Sequence, residues 1–345
     1  MTKPGVLPVD LELLLARIGQ HLENGESVAA ELPDAIAGLS ALPAIAMSQA
    51  APAIANTAKL YRWRRSPSLL EKLFRQRVTD KEQLLQLPNL QYLFLFHFDG
   101  RVREAALQRT TGGLPSPFLF AAVALRLNDW VEQVREAALG CANRCFPLTS
   151  ADVIADAAEA LLLRQQSWGR WGKEREAIDA VFKREDVATR LAADLVEAQT
   201  GPASRILRFL LEHDAVDQHL ERLAEESKQP SVRALAVKTI ADMQASWPVG
   251  YEWKWLDKPM GLRTRMPKMN YREISIPIAT KGIITKAALD KSAVVRRTSL
   301  DALIRHRLGR NEAQQIASQL TADANRSVRE RAEFILSRCV EGAAK

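Results

Sequence analysis

Asp99-Gly-Arg-Val102-Arg103-Glu-Ala-Ala106-Leu107 is the stretch that decides the fold. On a helix Val102 and Ala106 stand one turn apart on the same face, while Arg103 points roughly 100° away. Asp99, three residues before the valine, is placed to cap the helix start. The same Val-Arg pair, followed by a small residue four positions after the valine, recurs at Val134-Arg135…Ala138, Val232-Arg233…Ala236, Val295-Arg296…Ser299 and Val328-Arg329…Ala332. From the chain's own usage of these residues, less than about one such match is expected by chance. The first two copies are 32 residues apart and the last two 33, and the gaps of 98 and 63 between them are close to three and two such units. Eight residues after the valine, Ala142, Ile240, Leu303 and Leu336 extend the apolar face, and Thr110 departs from it. Ser292 and Asn325 repeat the capping position of Asp99. The pattern predicts that valine and the small residue are buried between closely approaching helices.

Asp-x-x-Val-Arg-x-x-x-Ala at the start of a second helix resembles the HEAT repeat of the armadillo-like superfamily. The resemblance runs from about residue 88 to 144 and from 285 to 340, with an isolated copy near 232. It implies an all-α fold: a right-handed α-solenoid of stacked helical hairpins that holds other macromolecules. It also implies that the repeated arginines pair with capping acids of the same or a neighbouring repeat. The alternative is an arginine ladder that grips phosphates.

Composition agrees with a helical array. The chain has 345 residues, 47% apolar but only 6% aromatic, a balance suited to helices packed through small and branched side chains. Its net charge of +7 permits contact with an anionic surface without requiring it. Cys141, Cys145 and Cys339 are too few and too scattered for a disulfide framework, which points to a reducing, cytoplasmic setting. The opening residues carry no basic region ahead of an apolar run, so no secretory signal is expected. Ala35–Ala58 lacks charge and is followed by basic residues, but Pro43, Pro52 and several polar residues interrupt it. A packed helical hairpin is expected there rather than a membrane span.

The division expected is an N-terminal helical segment, partly Ala-rich, over 1–80, and a HEAT-like array over 81–345 with an irregular insertion at 246–277. Leu11, Leu14, Leu15, Ile18 and Leu22 recur at helical spacing and Gly25 closes that helix. Ser66 before Pro67 marks another helix start, and Asp80 with Gln83 reads as a capping box.

Four prolines, Pro248, Pro259, Pro267 and Pro277, forbid one continuous helix across the insertion. Its aromatics alternate with cations, as a protein hot spot or a nucleic-acid surface would need. Trp247, Tyr251, Trp253, Lys254, Trp255, Lys258, Arg263, Arg265 and Lys268 are therefore the candidate partner-binding residues. Two further basic groups, Arg62, Arg64 and Arg65, and Arg296, Arg297, Arg305 and Arg307, are candidate anion contacts. Trp168 and Trp171 beside Glu174 and Asp179 invite comparison with HEAT-like DNA glycosylases, which use tryptophans and a carboxylate in a cleft. No nucleophile, phosphate-loop or metal motif occurs, so no catalytic residue, metal, cofactor or small-molecule substrate is expected. The function expected is a non-enzymatic scaffold or adaptor for a protein partner, with a nucleic-acid-binding subunit as the first alternative and a glycosylase-like enzyme as the second.

Overall fold

The computed structural model of the chain describes residues 6–61, 79–306 and 310–341. These form eighteen α-helices and one two-stranded antiparallel sheet. Contacts divide the chain into two compact units, residues 1–181 and 182–345. The expected helix start at Ser66 lies outside the described residues.

The first unit holds α1 (Val9–Asn24), α2 (Leu32–Ser40), α3 (Met47–Thr57), α4 (Asp80–Gln86), α5 (Leu90–Phe94), α6 (Gly100–Arg109), α7 (Pro117–Arg126), α8 (Glu132–Cys145), α9 (Ala151–Leu162) and the beginning of α10 (Arg175–Phe182). Its central helix is α7, started by Ser116 Oγ accepting the Leu119 N–H at 3.2 Å and by Pro117 at the first helical position. Phe118 through Ala124 are all buried, because α2, α3, α8 and α9 pack around them. The Ala-rich stretch is the α2–α3 pair, bent by 98° at a short break. No single helix among the described residues is long and apolar enough to cross a membrane. Small residues let backbones meet: a Cβ added at Gly19 of α1 would lie 2.7 Å from the carbonyl carbon of Ala58, just past α3. The capping box sits one residue earlier than expected. Thr79 Oγ1 accepts the Glu82 N–H and the Glu82 carboxylate accepts the Thr79 N–H, at 3.2 and 2.6 Å.

The second unit holds α11 (Glu185–Glu197), α12 (Ala203–Leu210), α13 (Leu220–Glu226), α14 (Pro230–Asp242), β1 (Gln244–Asp257), β2 (Leu262–Glu273), α15 (Thr280–Ala288), α16 (Ala293–His306), α17 (Arg310–Leu320) and α18 (Arg326–Glu341). Ile284, Ala288, Leu300, Leu303, Ala317, Val328 and Ala332 share one core between α15 and α18. Helix α14 packs on α16, and α16 on α18.

The repeat signature behaves the same way in both units. All five valines and all five small residues are buried, and Ser299 Oγ satisfies itself by donating to the Ile284 carbonyl at 2.7 Å. Thr110, the exception at the eighth position, is buried too, with its hydroxyl returned to the Ala106 carbonyl at 2.9 Å. Every repeat arginine donates from Nη1 to the carbonyl six residues before it: Arg103 to His97, Arg135 to Asp129, Arg233 to Ser227, Arg296 to Asp290 and Arg329 to Asp323. Three of these arginines also fork onto the carboxylate of the next repeat, Arg103 onto Asp129, Arg233 onto Asp290 and Arg296 onto Asp323, at 2.7 to 3.1 Å. Arg135 Nε lies 3.6 Å from Glu174. Each of these three aspartates thus takes one repeat arginine on its side chain and the next on its carbonyl, and the Asp129 side chain takes Arg126 as well. A bidentate, charge-assisted pair repeated this way fixes both the loop and the neighbouring helix start.

The rung spacing locates the insertion. Arg296 and Asp323 are 27 residues apart, Arg233 and Asp290 are 57, and the difference of 30 is the length of Gln244–Glu273. The segment expected to be irregular at 246–277 is therefore mostly a regular β-ribbon placed inside one repeat. Its prolines forbid one continuous helix, as expected, and are tolerated in the ribbon because both of its strands are edges.

Candidate partner-binding ribbon

β1 and β2 pair antiparallel from Gln244↔Glu273 at the base to Asp257↔Leu262 at the tip. The turn is set by Gly261, at φ 68°, where the left-handed region suits glycine, and by Asp257 Oδ1, which accepts the Met260 N–H at 3.1 Å. Alternation places Tyr251, Trp253 and Trp255 on one face, opposite Pro267, Arg265 and Arg263. A bulge between Pro248 and Gly250 shifts β1 by one residue, while β2 continues in step. Tyr271 therefore shares the face of Arg263 and Arg265, and Trp247 falls on the other.

That shift separates the tryptophans. Trp247 and Ala245 are buried at the ribbon base, against α12 and α14. Trp247, a candidate contact by sequence, is thus an anchor closed to partners. Arg272 on the same face reinforces it, forking onto Asp217 at 2.6 and 2.8 Å and donating to the Leu211 and His213 carbonyls at 2.9 Å. Asp217 also takes the Ser275 N–H and hydroxyl at 2.8 and 2.9 Å.

Beyond the bulge both faces meet solvent: Tyr251, Trp253 and Trp255 are 63%, 59% and 49% exposed, and on the body side of the bulge Tyr271, on the same face, is 59% exposed. Arg263 lies over the Trp253 ring at 4.6 Å and Arg265 over Tyr251 at 4.1 Å. These contacts place each guanidinium over a ring while the face as a whole stays exposed. Lys254, Lys258 and Lys268 are exposed as well. The tip adds Leu256, Met260 and Leu262, exposed apolar side chains that sequence analysis did not single out.

The other candidates are placed differently. Arg296 is engaged by Asp323 and the Asp290 carbonyl, and Arg305 by Asp242 at 3.2 Å. Arg297 is exposed. Arg62, Arg64, Arg65 and Arg307 lie outside the described residues. Trp168 and Trp171 pack edge to face at 4.8 Å. Glu174 beside them is buried, accepts the Gly172 N–H at 2.8 Å and faces Arg135. Burial alone would raise its carboxyl, but those backbone N–H groups and Arg135 hold it below the ordinary glutamate value. Among the described residues no group of three or more His, Cys, Asp or Glu side chains is arranged to hold a metal ion. The rung acids Asp129, Asp290 and Asp323 were missed, although each stands six residues before a repeat arginine, a spacing visible in the chain.

No family model matches the chain, and no curated protein matches it.

Proposed function

We propose that the chain is a non-enzymatic, HEAT-like helical scaffold of the cytoplasm that holds a protein partner on its β-ribbon. The stacking of hairpins into a right-handed solenoid belongs to this reading. It is supported by the arginine–aspartate rung, which occurs once in the first unit and in two successive repeats of the second. The observation that carries the partner is the ribbon's exposed aromatic face. Tyr, Trp and Arg are the residues on which protein interfaces concentrate their binding energy. A fold able to bury Trp247 has no folding reason to leave Trp253 in water.

The test is affinity capture from the native cell with the intact chain and with a Tyr251→Ser, Trp253→Ser, Trp255→Ser variant, both checked for unchanged helical content. The expected result is a stable complex with the intact chain that the variant loses. Retention of the same complex by the variant would remove the ribbon from the function. Nucleic-acid binding is the second reading, favoured by the ribbon's cations. It expects oligonucleotide affinity that falls steeply with salt as counterions are released.

A further inference from the structure

The helical body and the ribbon base pair their buried or half-buried arginines with acids, whereas the cations of the distal ribbon stand exposed. Arg103, Arg233 and Arg296 each fork onto a carboxylate, and Arg272 at the ribbon base does the same. Further out, Lys254, Lys258, Arg263, Arg265 and Lys268 have no carboxylate within ion-pair distance among the described residues. The distal ribbon carries only two acids, Glu252 and Asp257, and Asp257 is held by its own turn. Glu252 pairs across with Met266, on the opposite face from the aromatic stripe. The stripe itself holds Tyr271, Tyr251, Trp253, Trp255, Arg265 and Arg263, and the nearest acid on that face is Glu273 at the ribbon base, two residues from Tyr271. From Tyr271 to Arg263 it spans about 27 Å at the usual strand rise.

We infer that this face takes an acidic, extended segment of the protein partner, laid lengthwise with carboxylates on the edges of Arg263 and Arg265 and aliphatic side chains on the rings. This rests on the protein-scaffold reading above. Charge excludes a second copy of the same ribbon, since like would face like. Strand addition at the edge is disfavoured, because Pro248, Pro267 and the bulges blunt both edges. The face remains. The length of the stripe and the apolar side chains of Leu256, Met260 and Leu262 beside it suit a protein segment better than a phosphodiester chain, which offers aliphatic groups nothing.

The probe is a fluorescent fourteen-residue peptide alternating Glu and Val, compared with its Lys-for-Glu counterpart, with oligo(dT), and with phosphatidylserine vesicles. The Glu peptide is expected to bind the intact chain, to weaken with salt, and to lose at least about tenfold in affinity with R263E/R265E. The Lys peptide is expected to bind R263E/R265E in preference to the intact chain, which a merely misfolded ribbon could not do. K254E/K268E makes the same charge change on the opposite face, and its loss is expected to be smaller. Equal losses in the two variants, or tighter binding of oligo(dT) or vesicles than of the Glu peptide, would overturn the inference. The two proposals fail separately. If aromatic substitution abolishes cellular capture while R263E/R265E preserves it, the ribbon remains the partner site and the acidic segment falls. If aromatic substitution leaves capture intact, the scaffold reading of the ribbon falls first.

Discussion

Asp129→Ala should unsettle the first unit more than any surface change, and the structure sets the size. The Asp129 side chain, 1% exposed, accepts two bonds from Arg103 at 2.8 and 3.1 Å, one from Arg126 at 2.8 Å and one from the Val131 N–H at 3.0 Å. Removing it leaves two guanidinium groups beside an empty site. Arg103 is itself only 4% exposed and keeps just its carbonyl partners His97 and Phe98. Breaking a buried pair on one side typically costs about 3–5 kcal/mol. For a unit of this size that corresponds to a Tm lower by about 6–20 °C. Calorimetry gives the total, and hydrogen exchange assigns the loss to α6–α8 rather than to α14–α18. The pH dependence has a fixed sign. Burial opposes ionisation of Asp129, but Arg103, Arg126 and the Val131 N–H prevail and hold its carboxyl below the ordinary aspartate value. A group depressed in the folded state contributes fully above its unfolded value, about 3.9, and loses that contribution as pH falls through the folded value. The intact chain should therefore lose stability below about pH 4, and the variant should show a shallower acid dependence. A variant within about 1 kcal/mol of the parent, with an unchanged acid profile, would refute the rung as a stabilising device.

Three further outcomes follow from packing. Ala236→Leu, at a wholly buried position of α14, is expected to destabilise the second unit by about 1–3 kcal/mol through overpacking, measurable by urea denaturation. Gly113→Ala would set a Cβ 2.4 Å from the Leu148 carbonyl oxygen, so the loops before α7 and α9 must move apart. A destabilisation of about 1–3 kcal/mol with loss of exchange protection at Leu114, whose N–H bonds Thr149 Oγ1 at 3.0 Å, is expected. Trp247→Ala should free the ribbon base, giving fast exchange throughout β1 and β2 while α14–α18 keep their protection. Unchanged ribbon protection would mean Arg272 and Asp217 suffice to hold it.

The helical framework was legible because its signals are local. Val102 and Ala106, or Val232 and Ala236, are one turn apart, and a helix fixes which side they share whatever lies opposite. The arginine reach to the carbonyl six residues back is equally local, so it recurs in all five copies. The capping box was displaced by one residue because Thr79-x-x-Glu82 and Asp80-x-x-Gln83 overlap in the chain, and only the backbone direction at Thr79 chooses between them.

What the sequence by itself determined, then, is the buried valine face, the helical repeat and the concentration of aromatics and cations within 246–277. Tertiary structure alone decided which acid closes each rung, since Asp290 reaches Arg233 only after 57 residues of chain have returned to the same helix start. It also decided which tryptophans are open. Alternation along a strand sorts residues into two faces but does not say which face meets the body, and one extra residue at the Pro248–Gly250 bulge exchanges the two. Trp247 is thereby buried and Trp253 exposed, although they carry the same side chain six residues apart.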